Sequence, residues 1–182
     1  MKKVGFQNII VASFNHMTRL GDTFCSQLKE KGEDFSKFFA FTEFIESVDK
    51  DRYPNIVTVP IGFKKMKEYG IKHAIIDVDL VYGGIDYKKF LPEDINNLLS
   101  DRMRWVRENL SKDSRIIINL RDFPESMLRK PEQIFQVVHY LSSLPPSERP
   151  FGLMYEEPTG KSMPHELAAW TAAVRREMED CC

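Results

Sequence analysis

The chain has 182 residues, of which 42% are hydrophobic, and we expect a single domain with a substantial core over residues 1–182. The formal net charge of −1 points to neither nucleic acid nor an anionic membrane as a partner, and no apolar run is long enough to cross a bilayer. Its three cysteines do not make a disulfide framework, so the sequence predicts a reduced, cytoplasmic setting.

Five segments are predicted to be strands because they are continuous apolar runs or are rich in β-branched residues. In chain order they are Ile9–Ala12, Asn55–Val59, Ile71–Val81, Arg115–Leu120 and Phe151–Tyr155.

Helices are predicted between these strands from the spacing of apolar residues. Phe35, Phe38 and Phe39 fit one face of a helix within the stretch from Thr23 to Val48. A short helix carries Phe63, Met66 and Tyr69 and ends at Gly70, and later helices begin at Pro92, Pro131 and Pro164.

Strands that alternate with helices favour a parallel sheet with right-handed crossovers. Two architectures satisfy this pattern: a doubly wound open sheet, and a (β/α) barrel or a piece of one. A complete barrel takes about 250 residues and eight strands, whereas this chain supplies five predicted strands.

Three groups of residues carry a family resemblance. They are Ser13-Phe14 with Gly21-Asp22, the segment from Tyr53 to Lys72, and Glu157-Pro-Thr-Gly160 with Pro164. In order and spacing, over about residues 9–178, the chain resembles the central part of the 3-hydroxy-3-methylglutaryl-CoA lyase-like family, also described as the pyruvate carboxyltransferase-like TIM-barrel domain.

The resemblance implies an α/β fold, a partial (β/α) TIM barrel with parallel strands and helices on the outer face. It also implies metal-dependent carbon–carbon cleavage of a small carbonyl or CoA-linked acid. Complete relatives hold Mg²⁺ or Mn²⁺ on an Arg-Asp strand and a His-x-His strand, which this sequence lacks at the matching places, and Ile10 stands where a further acid is expected. We therefore expect no cofactor in this chain alone and a fragment without autonomous lyase activity. The alternative is a noncatalytic half-barrel that forms a homo-oligomer or binds a partner.

Candidate site residues follow the predicted strands, because parallel α/β folds place chemistry at the carboxyl ends of strands. By the resemblance, Glu157 takes the place of the catalytic-face acid, and Arg121 can bind a carboxylate or phosphate with both arms of its guanidinium. Asp77 and Asp79 share one face of their strand and could bind a cation. The predicted catalytic residues are Glu157 and Arg121, and the predicted substrate-binding residues are Asp79, Asn119, Asp122 and Glu156. The structural alternatives are a solvated acid at Glu157 and a local ion pair at Arg121.

Overall fold

The computed structural model describes residues 8–14, 19–45, 59–81 and 92–179. Within these ranges, strands and helices alternate along the chain. The strands are β1 (Ile9–Phe14), β2 (Phe38–Glu43), β3 (His73–Val78), β4 (Ile116–Leu120) and β5 (Gly152–Tyr155). The helices are α1 (Leu20–Glu30), α2 (Ile61–Tyr69), α3 (Pro92–Asn109), α4 (Phe123–Arg129), α5 (Pro131–Ser143) and α6 (Pro164–Glu179).

The strands form one sheet in which they lie in the order of the sequence, from β1 to β5, and every neighbouring pair is parallel. The predicted α/β class and parallel sheet are therefore confirmed. Parallel neighbours need crossover connections, and the helices between the strands supply them.

The two faces of the sheet have different roles. On β3, Ala74, Ile76 and Val78 belong to the main hydrophobic core, whereas Ile75 and Asp77 point the opposite way and lie outside this cluster. Each of the six helices contributes at least one buried side chain to the same core. Helices and one sheet face thus form a continuous apolar layer, and the other face is left for different side chains.

The C-terminal end of helix α2 is marked by a local sequence signal, Gly70. Its C-cap residue, Gly70, has a φ of 77°, a left-handed conformation that favours glycine, and its N–H donates to the carbonyl of Lys67. This confirms the predicted end of the helix. The helices predicted from Pro92, Pro131 and Pro164 also begin at those residues.

The helix predicted from Phe35, Phe38 and Phe39 is wrong, because Phe38 and Phe39 begin strand β2. A strand that is buried on both faces shows no alternation of apolar and polar residues, so three aromatics at helical spacing imitate a helix. Among the residues of that stretch that the structure describes, only the earlier part is helical, as α1. Helix α4 was not predicted, and residues 55–58 of the predicted second strand lie outside the described residues.

Among the helices that the structure describes, none combines the length and the apolar character needed to span a bilayer.

Gly62 gives a test of how closely α2 packs against the sheet. A Cβ atom at this position would lie 2.8 Å from the carbonyl oxygen of Phe14 and would collide with the side chain of Thr42. We therefore expect Gly62→Ala to lower the free energy of unfolding by about 1–3 kcal/mol, measured by urea denaturation. Gly152→Ala is the control, since no atom of the described residues lies within 4 Å of its added Cβ. Equal stability of the two variants would contradict this packing.

Candidate functional site

Polar side chains meet where four neighbouring strands end. The sheet pairing places Glu43 of β2 beside Asp77 of β3, and Asp77 beside Asn119 of β4. The N–H of Glu156 donates to the carbonyl of Leu120, which extends the pairing of β4 and β5 beyond their last strand residues. Because side chains alternate along a strand, these polar groups share the sheet face that the helices do not cover.

Asn119 lies at the centre of this cluster and is fully buried. Its Nδ2 atom donates to Oδ1 of Asp77 and to Oε1 of Glu156, both at 2.8 Å. Its Oδ1 atom is buried and has no hydrogen-bond partner among the described residues. The amide therefore connects two carboxyl groups from strands on either side of β4, and both of its hydrogens are used for this purpose.

Arg121 supplies a positive charge beside the carboxyl groups of Asp79 and Glu156. Its Nη1 lies 3.6 Å from Oδ2 of Asp79, and its Nε lies 3.8 Å from Oε2 of Glu156. Burial lowers the pKa of Arg121, but the carboxyl groups of Asp79, Asp77, Glu156 and Glu43 together outweigh burial, so its pKa is raised. Almost half of its side chain is exposed, so the guanidinium can still contact a ligand.

Asp77 has the most perturbed protonation equilibrium of the cluster. It is only 9% exposed, and burial raises its pKa from 3.8 to about 7. The hydrogen bond from Asn119 and the charge of Arg121 oppose this rise, whereas the nearby charges of Glu156 and Asp79 add to it. Burial also raises the pKa of Asp79. Near neutral pH, Asp77 therefore exchanges between its protonated and charged forms.

A cavity of about 250 Å³ opens beside these groups. Its walls include the side chains of Ser13, Phe41, Glu43, Asp77, Arg121 and Glu156. This volume suits one small molecule rather than an extended polymer. Pockets that combine convergent polar groups with a perturbed carboxyl group are the usual form of an active site.

The side chain of Asp122 accepts hydrogen bonds from main-chain N–H groups and does not line this cavity. Its Oδ1 accepts from the N–H of Leu80 at 3.1 Å, its Oδ2 accepts from the N–H of Val81, and its side chain is buried. Asp122 thus fixes the turn that follows β3 and supports Asp79, which lies in that turn. The geometry gives Asp122 an anchoring contact, and the substrate contact that the sequence predicts stays a prediction.

Glu157 points away from the cluster. Its carboxylate accepts hydrogen bonds from Thr159, Gly160, Lys161 and Ser162, all within its own turn. The hydrogen bond from Thr159 contributes most to lowering its pKa. The structure therefore brings Arg121, Asp79, Asn119 and Glu156 together but leaves Glu157 outside the site.

Apart from Asp77, four residues of the cavity are not among the predicted site residues: Ser13, Phe14, Phe41 and Glu43. Phe41 and Glu43 belong to β2, which the sequence analysis interpreted as part of a helix. The signal that could have found Glu43 is an acid at the end of the buried run Phe38–Thr42, an arrangement similar to that of Asp77 on β3. For Asp77, the sequence indicates only a cation-binding role that it would share with Asp79.

The described residues do not fit the Mg²⁺ or Mn²⁺ that the family resemblance implies. Nowhere in ranges 8–14, 19–45, 59–81 and 92–179 do three or more His, Cys, Asp or Glu side chains stand in positions to hold a metal ion. Within the cluster, the guanidinium of Arg121 is the cation that faces Asp79 and Glu156.

A scan against models of known protein families gives no match, and a search of curated proteins gives none either. Membership of the lyase-like family therefore stays a prediction.

The raised pKa of Asp77 predicts a pH-dependent stability. Because its folded-state pKa of about 7 exceeds the ordinary 3.8, the folded chain binds more protons than the unfolded chain between these pH values. The stabilising contribution of protonated Asp77 is complete below a pH of 3.8 and is lost as the pH rises through about 7. The loss is on the order of 4 kcal/mol.

Asp77→Asn removes this dependence, because an amide does not titrate. Urea unfolding from about pH 4 to about pH 8 should show the wild-type protein losing stability relative to the variant. Asp113→Asn, at an exposed position, is the matched control and should follow the wild type. Parallel curves for the wild type and Asp77→Asn would contradict the raised pKa.

Proposed function

We propose that the described sheet forms five strands of a (β/α) barrel and that the protein is an acid–base enzyme. The sequential strand order supports a barrel, because a doubly wound sheet reverses its order at a switch point. Right-handed crossovers in one direction place all the helices on one face. The uncovered face, with Asp77 and Asn119, then corresponds to the interior of the barrel.

One observation carries the enzymatic proposal: a buried carboxyl group with a pKa of about 7 faces a small cavity, where it is linked through Asn119 to Glu156. A general acid or base works best when its pKa is near the ambient pH. Asp77 meets this condition because it is buried, and the cavity gives it access to a ligand. Strand ends at this edge of a barrel are the usual place for such groups.

Arg121 is the second functional group of the proposal. Its guanidinium can donate hydrogen bonds to an oxygen atom on which negative charge develops. Glu156 and Asp79 face it from two sides and fix its position. Asp77 would move the proton, and Arg121 would stabilise the charge that the proton leaves behind.

The resemblance alone predicts a fragment without autonomous lyase activity, but its reaction class fits the acid–base groups of this site. A more detailed version of this proposal is therefore a carbon–carbon lyase acting on a small carbonyl or CoA-linked acid. Asp77 would remove the proton of a substrate hydroxyl group, the adjacent carbon–carbon bond would break, and Arg121 would bind the oxygen of the departing enolate. In this geometry Glu156, directly after β5, lines the cavity and would face the substrate in place of Glu157.

The acid–base role is tested by titration of Asp77 in the full chain with ¹³C-labelled aspartate. The carboxyl carbon should titrate with a midpoint near 7, and Asn119→Ala should raise this midpoint, because the lost hydrogen bond favours the charged form. Asp113→Asn should leave it in place. A midpoint near the ordinary value of 3.8 would rule out Asp77 as the acid–base group.

The lyase version is tested with 3-hydroxy-3-methylglutaryl-CoA, with release of acetyl-CoA as the readout, both with and without added Mg²⁺ or Mn²⁺. We expect Asp77→Asn to slow turnover by about 10²–10⁴-fold. Glu157→Gln separates the two assignments, because only the assignment by resemblance expects it to abolish turnover. Absence of turnover by the wild-type protein under all conditions would count against the lyase and leave the titration of Asp77 unaffected.

A noncatalytic, self-associating protein is a second candidate, and one observation favours it. Strand β1 lies at one edge of the described sheet, next to α1. There the exposed fractions of Ile10, Leu20 and Phe24 are 51%, 80% and 45%. Neighbouring apolar side chains at a sheet edge are a common basis for association between copies.

Association through this edge is tested by sedimentation of a dilution series. The wild-type protein should form a dimer or larger species, and the double variant Leu20→Ser/Phe24→Ser should shift it toward the monomer. Leu128→Ser is the control, since Leu128 is 68% exposed on α4. A wild-type protein that is monomeric at every concentration would exclude this candidate.

A further inference from the structure

Beyond proton transfer on a carbonyl compound, we propose that the same cluster hydrolyses glycosidic bonds, with Asp77 as the general acid and Glu156 as the nucleophile. This inference rests on the proposed function, because both need Asp77 to hold and transfer a proton. It adds a covalent role for Glu156 and a different class of substrate, a small neutral sugar.

The spacing of the two carboxyl groups is the first support. Asp77 Oδ1 and Glu156 Oε1 each lie 2.8 Å from the same nitrogen of Asn119 and accept its two hydrogens. The two N–H bonds of an amide diverge by about 120°, which places the two oxygen atoms about 5 Å apart. Glycosidases that retain the configuration of the sugar hold their two carboxyl groups about 5–5.5 Å apart.

The different surroundings of the two carboxyl groups are the second support. Asp77 is almost completely buried, so its protonated form persists to neutral pH, as a general acid requires. Glu156 is more exposed and forms an ion pair with Arg121, the setting of a carboxylate that acts in its charged form. A retaining glycosidase needs this division between one acid and one charged nucleophile.

The charge of the cavity is the third support. Its walls carry the carboxyl groups of Glu43, Asp77 and Glu156 and one guanidinium, that of Arg121. An excess of carboxyl groups disfavours an anionic substrate but stabilises the positive charge that develops on the sugar ring during glycoside cleavage. The volume of about 250 Å³ suits one sugar ring beside the apolar surface of Phe41.

Asn119 is the positioning residue of this arrangement. Its fully buried amide donates both hydrogens to the two carboxyl groups, and its own oxygen has no hydrogen-bond partner among the described residues. Burying an acceptor without a donor is unfavourable. The two hydrogen bonds to Asp77 and Glu156 therefore have to hold the Asn119 amide in this orientation. The spacing between acid and nucleophile therefore follows from the pairing of β3, β4 and β5.

In the first step, Asp77 donates its proton to the glycosidic oxygen while a Glu156 oxygen forms a bond to the anomeric carbon. The bond between that carbon and the glycosidic oxygen breaks, and the leaving group departs as an alcohol. In the second step, Asp77 takes a proton from water, and the water oxygen attacks the anomeric carbon. The ester bond to Glu156 then breaks, which restores both carboxyl groups and releases the sugar with its original configuration.

The test uses the full chain and a panel of 4-methylumbelliferyl α- and β-glycosides of hexoses, N-acetylhexosamines and pentoses. We expect the wild-type protein to hydrolyse at least one member with retention of configuration, followed by NMR of the product. Asp77→Asn should slow this by about 10²–10⁴-fold and should slow the 2,4-dinitrophenyl glycoside much less, because that leaving group needs no acid.

The nucleophile is tested by rescue. Glu156→Gly should lose hydrolysis, and added azide should restore release of dinitrophenol and yield a glycosyl azide of inverted configuration. A merely structural role for Glu156 would give no rescue. Glu108→Gln, an exposed substitution on α3, is the matched control, and urea unfolding confirms that each variant is folded.

Failure of the wild-type protein to hydrolyse any member of the panel would overturn this inference, as would hydrolysis with inversion or activity that persists in Glu156→Gly without azide. These outcomes are distinct from failure of the proposed function, because the titration of Asp77 does not involve a glycoside. A normal midpoint for Asp77 would overturn both.

Discussion

The amide of Asn119 is the group on which the candidate site depends. It lies at the end of the middle strand of three and donates to carboxyl groups on the strands to either side. Because those strands are fixed by parallel hydrogen bonding, the positions of Asp77 and Glu156 inherit the rigidity of the sheet. Without this amide, two carboxyl groups would face each other with no donor between them, and their mutual repulsion would alter both geometry and protonation.

Apolar packing on one face of the sheet offsets the unfavourable burial of polar groups on the other face. Ala74, Ile76 and Val78 bury apolar surface against the helices, and burial of this kind is the main favourable contribution to folding. The other face then tolerates unfavourable features, including the buried carboxyl group of Asp77 and the oxygen of Asn119, which has no partner within the described part of the chain. The same buried carboxyl group that lowers stability near neutral pH is the one suited to proton transfer there, which is the compromise expected at functional sites.

Sequence signals predicted the elements whose ends are fixed locally, and they failed where tertiary burial decides the structure. Gly70 and Pro92 mark a helix end and a helix start by backbone conformation alone, and both were found correctly. Strand β2 was missed because burial on both faces removes the alternation that would reveal a strand. The missed strand also affected the site prediction, because Glu43 is the last residue of β2. The partners of Asn119 could not be predicted either, because strand order and register are set by pairing across the sheet and not by local spacing.

Glu156 and Glu157 show how adjacent residues of the same type come to have different roles. Alternation along an extended chain turns one toward the sheet face with Arg121 and the other away from it. The second then meets a turn in which Gly160 has a φ of 66° and backbone N–H groups converge on its carboxylate. That turn follows Glu156, which is the first residue after the end of β5 at Tyr155. The hydrogen bonds around Glu157 therefore fix the turn that comes directly after Glu156. The family resemblance assigns the catalytic-face acid to Glu157, whereas the residue of this pair that lines the cavity is Glu156.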